Sequence, residues 1–494
     1  MLFNDPVFLF AFLPVSLIAS YAARALFGRE GALATLVLAS IIFYGWWNPV
    51  YLPLLGGLAV FNFVLARFIV KERGKAAEGL ATALTIFGVT VDLGALAWFK
   101  YTDFFIGTMN AAIGTSWTLL HIVLPLGISF FTFQKIAYLV DARRGEVEPH
   151  SFLEYCFFVM FFPQLIAGPI VHHKEIFSQT HEKNAFRFDL SNISVGLTIF
   201  LIGLFKKVVI ADNLAPIVSH AFGAAAGPEP MGFLLAWQGM AAYTLQLYFD
   251  FSGYSDMAIG ASRMFGIRLP LNFDSPYQSA SIIEFWRRWH MTLSRFLRDY
   301  LYIGLGGNRH GRVRRYFNLM ATMTLGGLWH GAAWTFVIWG FLHGLALIVN
   351  HAWRAVFPRR IGAWWSLAMA RLITLLFVAL AWVPFRAPGL EAAGHLLKGL
   401  VTLPGAGEWR QMPFALLALI VAVAGLWLVP NTQQWLANYR PAYNYGPQEH
   451  EKDKPLLIKN LWSPGTRQAV LVGLFAALSF LSLQRVSEFL YFQF

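Results

Sequence analysis

A histidine lies near the middle of a long apolar stretch of this chain. His330, within Trp329-His330-Gly331, falls in the run from Tyr316 to Val349, which is almost entirely apolar and long enough to be buried in a bilayer. An ionisable side chain at that depth is expensive and by default marks a functional site. A neutral imidazole can also take up a proton near pH 7. The position therefore predicts either an acid/base residue or a structural core histidine; His343, thirteen residues on, need not share its site.

The charged and aromatic segment 281–299 predicts one amphipathic helix at the membrane interface. Its apolar face consists of residues spaced by three or four: Ile282, Trp286, Trp289, Leu293 and Leu297. A second face has the same spacing and is polar: Arg287, His290, Ser294 and Arg298. Two pairs four residues apart can form ion pairs, Glu284 with Arg288 and Arg295 with Asp299. The arginines favour either a lipid-phosphate anchor or a rim of cationic donors for an anionic ligand such as a nucleotide phosphate.

Two carboxylates interrupt the apolar stretch Gln246–Gly260. Asp250 and Asp256 cannot remain unpaired at membrane depth, and we expect arginines of the 284–298 segment or backbone donors as their partners. A polar network that fixes packing and an acid/base role are both compatible with this pattern.

Several common kinds of site are missing from the sequence. The single cysteine, Cys156, excludes an intrachain disulfide and a thiolate metal cage, and its apolar surroundings predict a small core residue. There is no H-E-x-x-H, GxSxG or Walker-type motif. We therefore predict neither a bound metal nor a permanently bound cofactor.

Composition predicts an all-α polytopic membrane protein. Of the 494 residues 57% are hydrophobic and 13% charged, against about 45–50% and about 25% in soluble domains. Because the basic residues cluster between apolar runs, the net charge of +12 is typical of a membrane protein rather than of nucleic-acid binding. Roughly 10–12 transmembrane or re-entrant helices are predicted at 7–24, 31–47, 52–69, 79–99, 121–140, 151–170, 192–210, 231–260, 316–350, 366–386, 412–430 and 467–489.

Charged residues between these runs predict the orientation. The first run lacks a basic flank and a cleavage motif, so we take it as a span with the N-terminus outside. Basic residues after the first, third and fifth runs then lie on the cytoplasmic side, and 48–49 and 100–116 lie outside. Arginines flank the 316–350 run at both ends, which favours a hairpin of two short helices broken at Gly326-Gly327 or Gly331. One long tilted span is the alternative.

We predict a single membrane domain over 1–494, with its core motifs in 120–350 and a helical C-terminal region, 365–494. That region contains the polar loop 431–465. Its residues Asn431–Pro464 form the longest polar segment of the chain, which we interpret as a solvated connector or a docking surface for a partner.

At these residues the chain resembles the membrane-bound O-acyltransferase (MBOAT) family, and within it the bacterial branch that contains the membrane subunit of alginate O-acetyltransferase. The resemblance covers roughly 1–350 and is weaker beyond 390. It is carried by these stretches: Pro125-Leu-Gly-Ile-Ser-Phe-Phe-Thr-Phe133, Gln164-Leu-Ile-Ala-Gly-Pro169, Gln246-Leu-Tyr-Phe-Asp-Phe-Ser-Gly-Tyr-Ser-Asp-Met-Ala-Ile-Gly260, Glu284-Phe-Trp-Arg-Arg-Trp-His290, Arg298-Asp-Tyr-Leu-Tyr302, Gly306-Gly-Asn-Arg309 and Gly326-Gly-Leu-Trp-His-Gly331.

The resemblance implies a ring of helices around a central funnel, with the family histidine at His330 and a second catalytic position at His290. It implies acetyl-CoA as donor and an extracytoplasmic partner protein that passes the acetyl group to an alginate-like polysaccharide, at a bacterial inner membrane. On this basis Arg287, Arg288, Arg295 and Arg298 would bind the donor's phosphates. Asp250, Asp256, Glu284 and Trp329 would support the site. The alternatives are a carrier-protein thioester as donor and a transporter or flippase of lipid-linked sugars.

Overall fold

The computed structural model describes residues 1–73, 78–357, 364–443, 445–446, 461–483 and 490. Within them the regular secondary structure is helical, with an isolated bridge between Pro270 and Tyr443. An all-α polytopic membrane protein is therefore confirmed. The helices of at least six residues are Leu13–Gly45, Leu52–Glu72, Glu78–Ile113, Ile128–Arg144, Phe152–Met160, His173–Thr180, Leu190–Phe205, Lys206–Ala211, Asp212–Ala225, Phe233–Met264, Ile282–Arg288, Met291–Phe296, Leu297–Tyr302, Gly311–His330, Trp334–Val356, Trp364–Arg386, Leu390–Gly399, Ala406–Leu428 and Thr466–Ser482.

In the described part of the chain, 7 helical segments are long and apolar enough to cross a membrane. They are Phe8–Gly45, Pro49–Glu72, Glu78–Ile113, Leu190–Ala225, Trp334–Val356, Trp364–Arg386 and Ala406–Leu428. The first contains the two predicted runs 7–24 and 31–47, which are separated at Gly28. Its φ of 72° and ψ of −160° are not helical, and only glycine adopts them readily. The third continues past its predicted end at 99 to Ile113.

Two predicted spans are shorter than the apolar runs that suggested them. The run at 121–140 becomes helical only at Ile128, after Gly127 with a φ of 71°. The run at 151–170 forms the nine-residue helix Phe152–Met160 and the single turn Phe162–Leu165. Most apolar residues of both runs are buried within the protein, apart from Val123 and Phe152, so hydrophobicity here largely reflects packing. The last predicted run forms Thr466–Ser482, and its end at 484–489 lies outside the described residues.

Contact density divides the chain into two compact units. The first contains Met1–Leu201, Tyr254–Leu271 and a short segment from Tyr439; the second contains Ile202–Gly253, Asn272–Asn438 and described residues from Tyr445 onward. The units interleave along the chain, and a single domain over 1–494 stays a prediction. In the first unit, Cys156 is buried as predicted.

In the second unit a two-helix hairpin replaces the 316–350 run. Gly311–His330 and Trp334–Val356 contain 20 and 23 residues, so neither is short, and the break lies at Gly331. The alternative break at Gly326-Gly327 is wrong, as is the single long span, because these glycines lie inside the first helix. A Cβ on Gly327 would stand 2.3 Å from the carbonyl oxygen of Phe336. Glycine here allows the two helices to pack backbone against backbone.

The single amphipathic helix predicted for 281–299 is wrong. The structure has Ile282–Arg288, a break at Trp289 and His290, Met291–Phe296 and a wider turn of helix Leu297–Tyr302. His290 adopts a φ of 43°, in the left-handed region that non-glycine residues seldom occupy. The predicted apolar face is confirmed as buried: Ile282, Trp286, Trp289, Leu293 and Leu297. His290 does not share the polar face, because the break turns its side chain into the interior, where it is fully buried.

The first part of the polar segment 431–465 is packed rather than solvated. Asn431 begins the short helix Thr432–Trp435, and its side-chain amide donates to Asp274 Oδ1 at 2.9 Å and Ser275 Oγ at 3.0 Å. Thr432, Gln433 and Gln434 are also buried. The solvated-connector interpretation is therefore wrong for these residues, and 447–460 lies outside the described residues.

Candidate functional site

His330 is the last residue of helix Gly311–His330, where the chain turns extended at Gly331. Its side chain is 5% exposed and lies among aromatic rings of the second unit. Its ring centre is 4.9 Å from Trp329, 5.1 Å from Trp339 and 5.4 Å from Phe385, each in an edge-to-face arrangement. Such packing fixes the ring orientation and excludes water around it.

His290 is held by a hydrogen bond that sequence reasoning missed. Its Nδ1 lies 3.1 Å from Oδ1 of Asn272. The same oxygen accepts from the hydroxyl of Thr292 at 2.9 Å, and the Asn272 carbonyl accepts from the N–H of Met291 at 2.9 Å. Asn272 is 18 residues away and fully buried. Asn272 therefore stabilises the left-handed turn at His290 through hydrogen bonds to His290 itself and to the two residues that follow it.

The two predicted catalytic histidines are neighbours. The ring centres of His290 and His330 are 6.3 Å apart. Phe251 packs edge-on against His290 at 4.8 Å. Burial lowers the pKa of His290 to about 3, so its imidazole is neutral at physiological pH. Two imidazoles at this spacing can flank a small reacting group, with one acting as base and the other as hydrogen-bond partner.

His343 contacts the same aromatic group as His330. Trp339 lies 5.1 Å from His330 and 4.8 Å from His343, ring centre to ring centre. The indole N–H of Trp286 donates to His343 Nδ1 at 3.3 Å. His343 is fully buried, and its position suits packing support behind the site.

The four arginines chosen from the sequence differ in their surroundings. Arg288 contacts Glu284 Oε1 at 3.2 Å, as the spacing predicts, and also lies 3.7 Å from Asp274. Arg298 is paired with Asp299 at 2.6 Å. Arg287 is exposed and Arg295 half-buried. The carboxylates beside Arg288 and Arg298 already compensate those two charges. Arg287 is therefore a stronger candidate than these two for binding the phosphates of the acyl donor.

A basic group formed with the hairpin was missed by sequence reasoning. Arg315 lies 2.8 Å from the ring nitrogen Nδ1 of His351, and Arg354 donates to the hydroxyl of Ser281 at 2.8 Å. Arg287, Arg315 and Arg354 are all close enough to His351 to act on it electrostatically. We call these three arginines the basic cluster. The signal in the sequence was the arginines at both ends of the hairpin, which the orientation rule accounted for on other grounds.

Asp250 is paired, but not with an arginine of the 284–298 segment. Its carboxylate lies 2.6 Å from Nζ of Lys207, which is also 2.8 Å from Asp212, and it accepts from the backbone N–H of Leu490 at 3.3 Å. The arginine prediction is wrong for Asp250, while the backbone-donor alternative is confirmed. A charged lysine within the apolar run 192–210 was the overlooked signal. Asp256 is buried and belongs to the first unit.

The other supporting residues have local roles. Glu284 accepts from the backbone N–H of Ala280 at 3.0 Å as well as from Arg288. It therefore stabilises the start of helix Ile282–Arg288. Trp329 packs beside His330 and is buried. The assignment of these residues to the reaction stays a prediction.

Two groups in the first unit have the residue types of metal ligands: Asp141, His172 and His173, and His150, Glu154 and His181. In the first group, Asp141 Oδ2 lies 2.8 Å from His172 Nε2 and 3.4 Å from His173 Nε2. Nδ1 of His172 accepts from the N–H of Lys174 at 3.3 Å, so the ring proton sits on Nε2 and points to the carboxylate. In the second group Arg29 already pairs with Glu154. Both arrangements fit hydrogen-bonded ion networks, and the absence of a metal stays a prediction.

Comparison with known proteins adds the family. The model of the membrane-bound O-acyltransferase family matches residues 141–364. The peptidoglycan O-acetyltransferase of Helicobacter pylori is 47% identical over 82% of this chain and 80% of its own length. The probable alginate O-acetylase of Pseudomonas aeruginosa is 38% identical over 100% of both chains. The teichoic acid D-alanyltransferase of Streptococcus thermophilus is 32% identical over 46% of this chain and 57% of its own.

The matched residues 141–364 include His290, His330 and the basic cluster. Since relatives at this identity cover most of the chain, the resemblance seen in the motifs is confirmed. The chain belongs to the membrane-bound O-acyltransferase family and is an acyltransferase enzyme.

Proposed function

We propose that this enzyme transfers an acetyl group from cytoplasmic acetyl-CoA across a bacterial inner membrane, for O-acetylation of an extracytoplasmic polysaccharide. A partner protein on the periplasmic side of the membrane completes the transfer, and the N-terminus of the enzyme lies on the same side. The relatives support polysaccharide O-acylation, since two of them are named as O-acetylating enzymes of peptidoglycan and alginate. The observation that carries the chemistry is the pair of buried imidazoles, His290 and His330, 6.3 Å apart.

In the proposed reaction His330 acts as the general base. Its neutral imidazole removes the proton from the acceptor hydroxyl as that oxygen attacks the thioester carbonyl. The C–S bond then breaks, and the coenzyme A thiolate takes the proton back from the His330 imidazolium. Products are the acetyl ester and the free thiol. A thioester is activated enough that no covalent enzyme intermediate is needed.

The aromatic surroundings of His330 serve this step. Trp329, Trp339 and Phe385 pack edge-to-face around the ring within 5.4 Å. They hold the imidazole in one orientation and keep water away from the thioester, which limits wasteful hydrolysis. His290 stays neutral and supplies a second fixed imidazole beside the reacting hydroxyl.

The phosphates of the donor are proposed to bind at arginines on the cytoplasmic side. Arg287 with Arg315 and Arg354 forms the most concentrated positive charge among these candidates. Guanidinium groups suit phosphate oxygens because their N–H donors match two oxygens at once. Arg295 is a further candidate for phosphate binding. Arg288 and Arg298 contribute less than Arg287, because carboxylates already accompany them.

One observation favours a second donor. The teichoic acid relative is named for D-alanyl transfer, so the acyl group is not uniform among similar chains. A carrier-protein thioester would need a docking surface rather than a phosphate site, and the two donors can be distinguished directly. The transporter alternative is disfavoured, because the family consists of acyltransferases.

The test uses the full chain in lipid nanodiscs with radiolabelled acetyl-CoA, with and without a polysaccharide fragment or a periplasmic partner. Wild type should release coenzyme A and label the acceptor, and His330→Ala should do neither while staying inserted and folded. A well-folded His330→Ala protein with near-normal transfer would overturn the mechanism. Turnover with an acyl carrier protein alone would replace acetyl-CoA as the donor.

A further inference from the structure

We infer that Asn272 is a positioning residue that holds the neutral ring of His290 with its proton on Nδ1, leaving the Nε2 lone pair as the acceptor. The inference rests on the proposed function for its effect on rate, but the tautomer itself is independent of it. Nothing in the sequence spacing suggested this pair, because the two residues are 18 positions apart.

The identity of the Asn272 atom follows from its donors. The backbone N–H of Thr292 points at the same atom, 3.4 Å away, and the Thr292 hydroxyl lies 2.9 Å from it. A backbone N–H can only donate, so the atom that faces it is the amide oxygen and not the amide nitrogen. The atom facing His290 is therefore an acceptor.

An acceptor at 3.1 Å fixes the tautomer of the ring. If Nδ1 of His290 lacked a proton, two lone pairs would face each other across 3.1 Å in a fully buried site. That arrangement leaves both groups unsatisfied, which is costly in the interior. With the proton on Nδ1, Nε2 of the neutral imidazole carries the lone pair.

The hydrogen-bond partner of His290 is a neutral amide, that of Asn272. A carboxylate in place of the Asn272 amide would stabilise the imidazolium and draw His290 toward the charged form. The amide holds the same geometry without that charge. His330 is the titratable side chain whose ring faces His290, at 6.3 Å. Asp274 and Arg288, on the adjoining segments, lie 3.7 Å apart as a pair.

The backbone at His290 is left-handed, and the hydrogen bonds to Asn272 stabilise this conformation. Its φ of 43° lies in the left-handed region, which a non-glycine residue adopts only when its surroundings stabilise it. Asn272 compensates by accepting from the N–H of Met291 at 2.9 Å as well as from the imidazole. Both the backbone turn and the ring are thus oriented by one side chain and its own carbonyl.

The experiment compares Asn272→Ala, Asn272→Asp and Asn318→Asp in nanodiscs. Asn318 is the matched control, since it is fully buried in the same unit and bonds to the Gly307 carbonyl at 2.8 Å. Asn272→Ala should lower kcat about 10- to 100-fold with little change in KM for acetyl-CoA. Asn272→Asp keeps the acceptor and should retain activity at high pH.

The pH profile separates positioning from mere structure. A carboxylate beside His290 should raise the pKa of that ring by about 1–3 pH units, because it stabilises the protonated form. A ¹⁵N-histidine NMR titration measures this change, and Asn318→Asp should leave it unchanged. In parallel, ¹⁵N-histidine NMR of wild type should show the Nδ1–H form for the signal that disappears in His290→Asn.

Failure of the proposed function and failure of the Asn272 inference give different results. If wild type releases no coenzyme A, the proposed function fails and the NMR tautomer alone decides this inference. If wild type is active, an Asn272→Ala rate within twofold of it overturns the inference. An Nε2–H tautomer at His290 would also overturn it.

Discussion

Histidines of the two compact units are held by different partners. His290 in the second unit donates to a neutral amide, Asn272, at 3.1 Å. His172 and His173 in the first unit lie 2.8 and 3.4 Å from the carboxylate of Asp141. Burial lowers the pKa of His290 to about 3. For His173 burial also lowers the pKa, but Asp141 acts in the opposite direction.

This difference separates reactive from structural histidines more clearly than burial does. A carboxylate partner ties the ring into an ion network and stabilises its charged form. An amide partner fixes the orientation of the ring without adding a charge beside it, so the ring stays neutral. Histidines near the reacting groups should therefore be sensitive in rate, and those on carboxylates in stability.

The largest expected effect tests the reactive side of this comparison. His330→Ala removes the proposed base and should lower acetyl transfer by about 100- to 10,000-fold. The matched control is His172→Ala, which loses a carboxylate-bound imidazole in the first unit. Its transfer rate per folded molecule should stay within about twofold of wild type. Equal losses in both variants would abolish the distinction between the two groups.

The next effect concerns a carboxylate-bound cation inside the second unit. Lys207→Met leaves Asp250 and Asp212 without the ammonium that lies 2.6 and 2.8 Å away. Unpaired buried charge of this kind costs about 3–5 kcal/mol, so thermal unfolding in detergent should move sharply downward. The neighbouring Lys206→Met loses a bond to the Thr432 hydroxyl at 2.8 Å and should cost about 0.5–1.5 kcal/mol.

Activity decides what the Lys207 result means. If transfer falls only in step with the folded fraction, Asp250 and its partners support packing. A stably folded Lys207→Met protein that has lost transfer would instead bring Asp250 into the reaction, as the sequence allowed.

The sequence predicted the parts of the site that depend on local periodicity. Apolar spacing identified the buried face of 281–299. The glycines predicted a break at either Gly326-Gly327 or Gly331, and the helix ends at the second of these positions. The pairing of Glu284 with Arg288 also followed from their separation of four residues. Each of these is a property of one helix and its immediate neighbours.

The missed features depend on contacts between distant segments. Asn272 reaches His290 across 18 residues, and Lys207 reaches Asp250 from another helix. The left-handed turn at His290 was not predicted, because non-glycine residues as a class seldom adopt that conformation. Periodicity consequently predicted a continuous helix where tertiary hydrogen bonds enforce a break.

A smaller effect tests the structural side of the comparison. Glu154 accepts from His181 at 2.7 Å, from the N–H of Ser151 at 2.8 Å and from Arg29. Burial opposes its ionisation, but these hydrogen bonds lower the pKa to about 2, below the usual 4.5. The resulting stability is present above about pH 4.5 and is lost as pH falls toward 2. Glu154→Gln should cost about 1.5–3 kcal/mol near neutrality.

The pH dependence of unfolding provides the measurement. Wild type should lose melting temperature steeply below pH 4.5, while Glu154→Gln should start lower and decline less, since glutamine does not titrate. Acetyl transfer per folded molecule should be unchanged. Parallel curves for the two proteins would show that Glu154 contributes no linked stability.

The smallest effect distinguishes arginines that are available to a ligand from those already accompanied by carboxylates. Arg287→Ala and Arg315→Ala should each raise the KM for acetyl-CoA about 2- to 5-fold with kcat retained, since an exposed charge contact is worth up to about 1 kcal/mol. Arg298→Ala is the control, because Asp299 lies 2.6 Å from that guanidinium; its KM should not change. The increase should shrink as salt rises, since salt screens exposed charges. If Arg298→Ala raised the KM for acetyl-CoA and Arg287→Ala did not, the phosphates would bind near Arg298. The basic cluster would then have no part in binding acetyl-CoA.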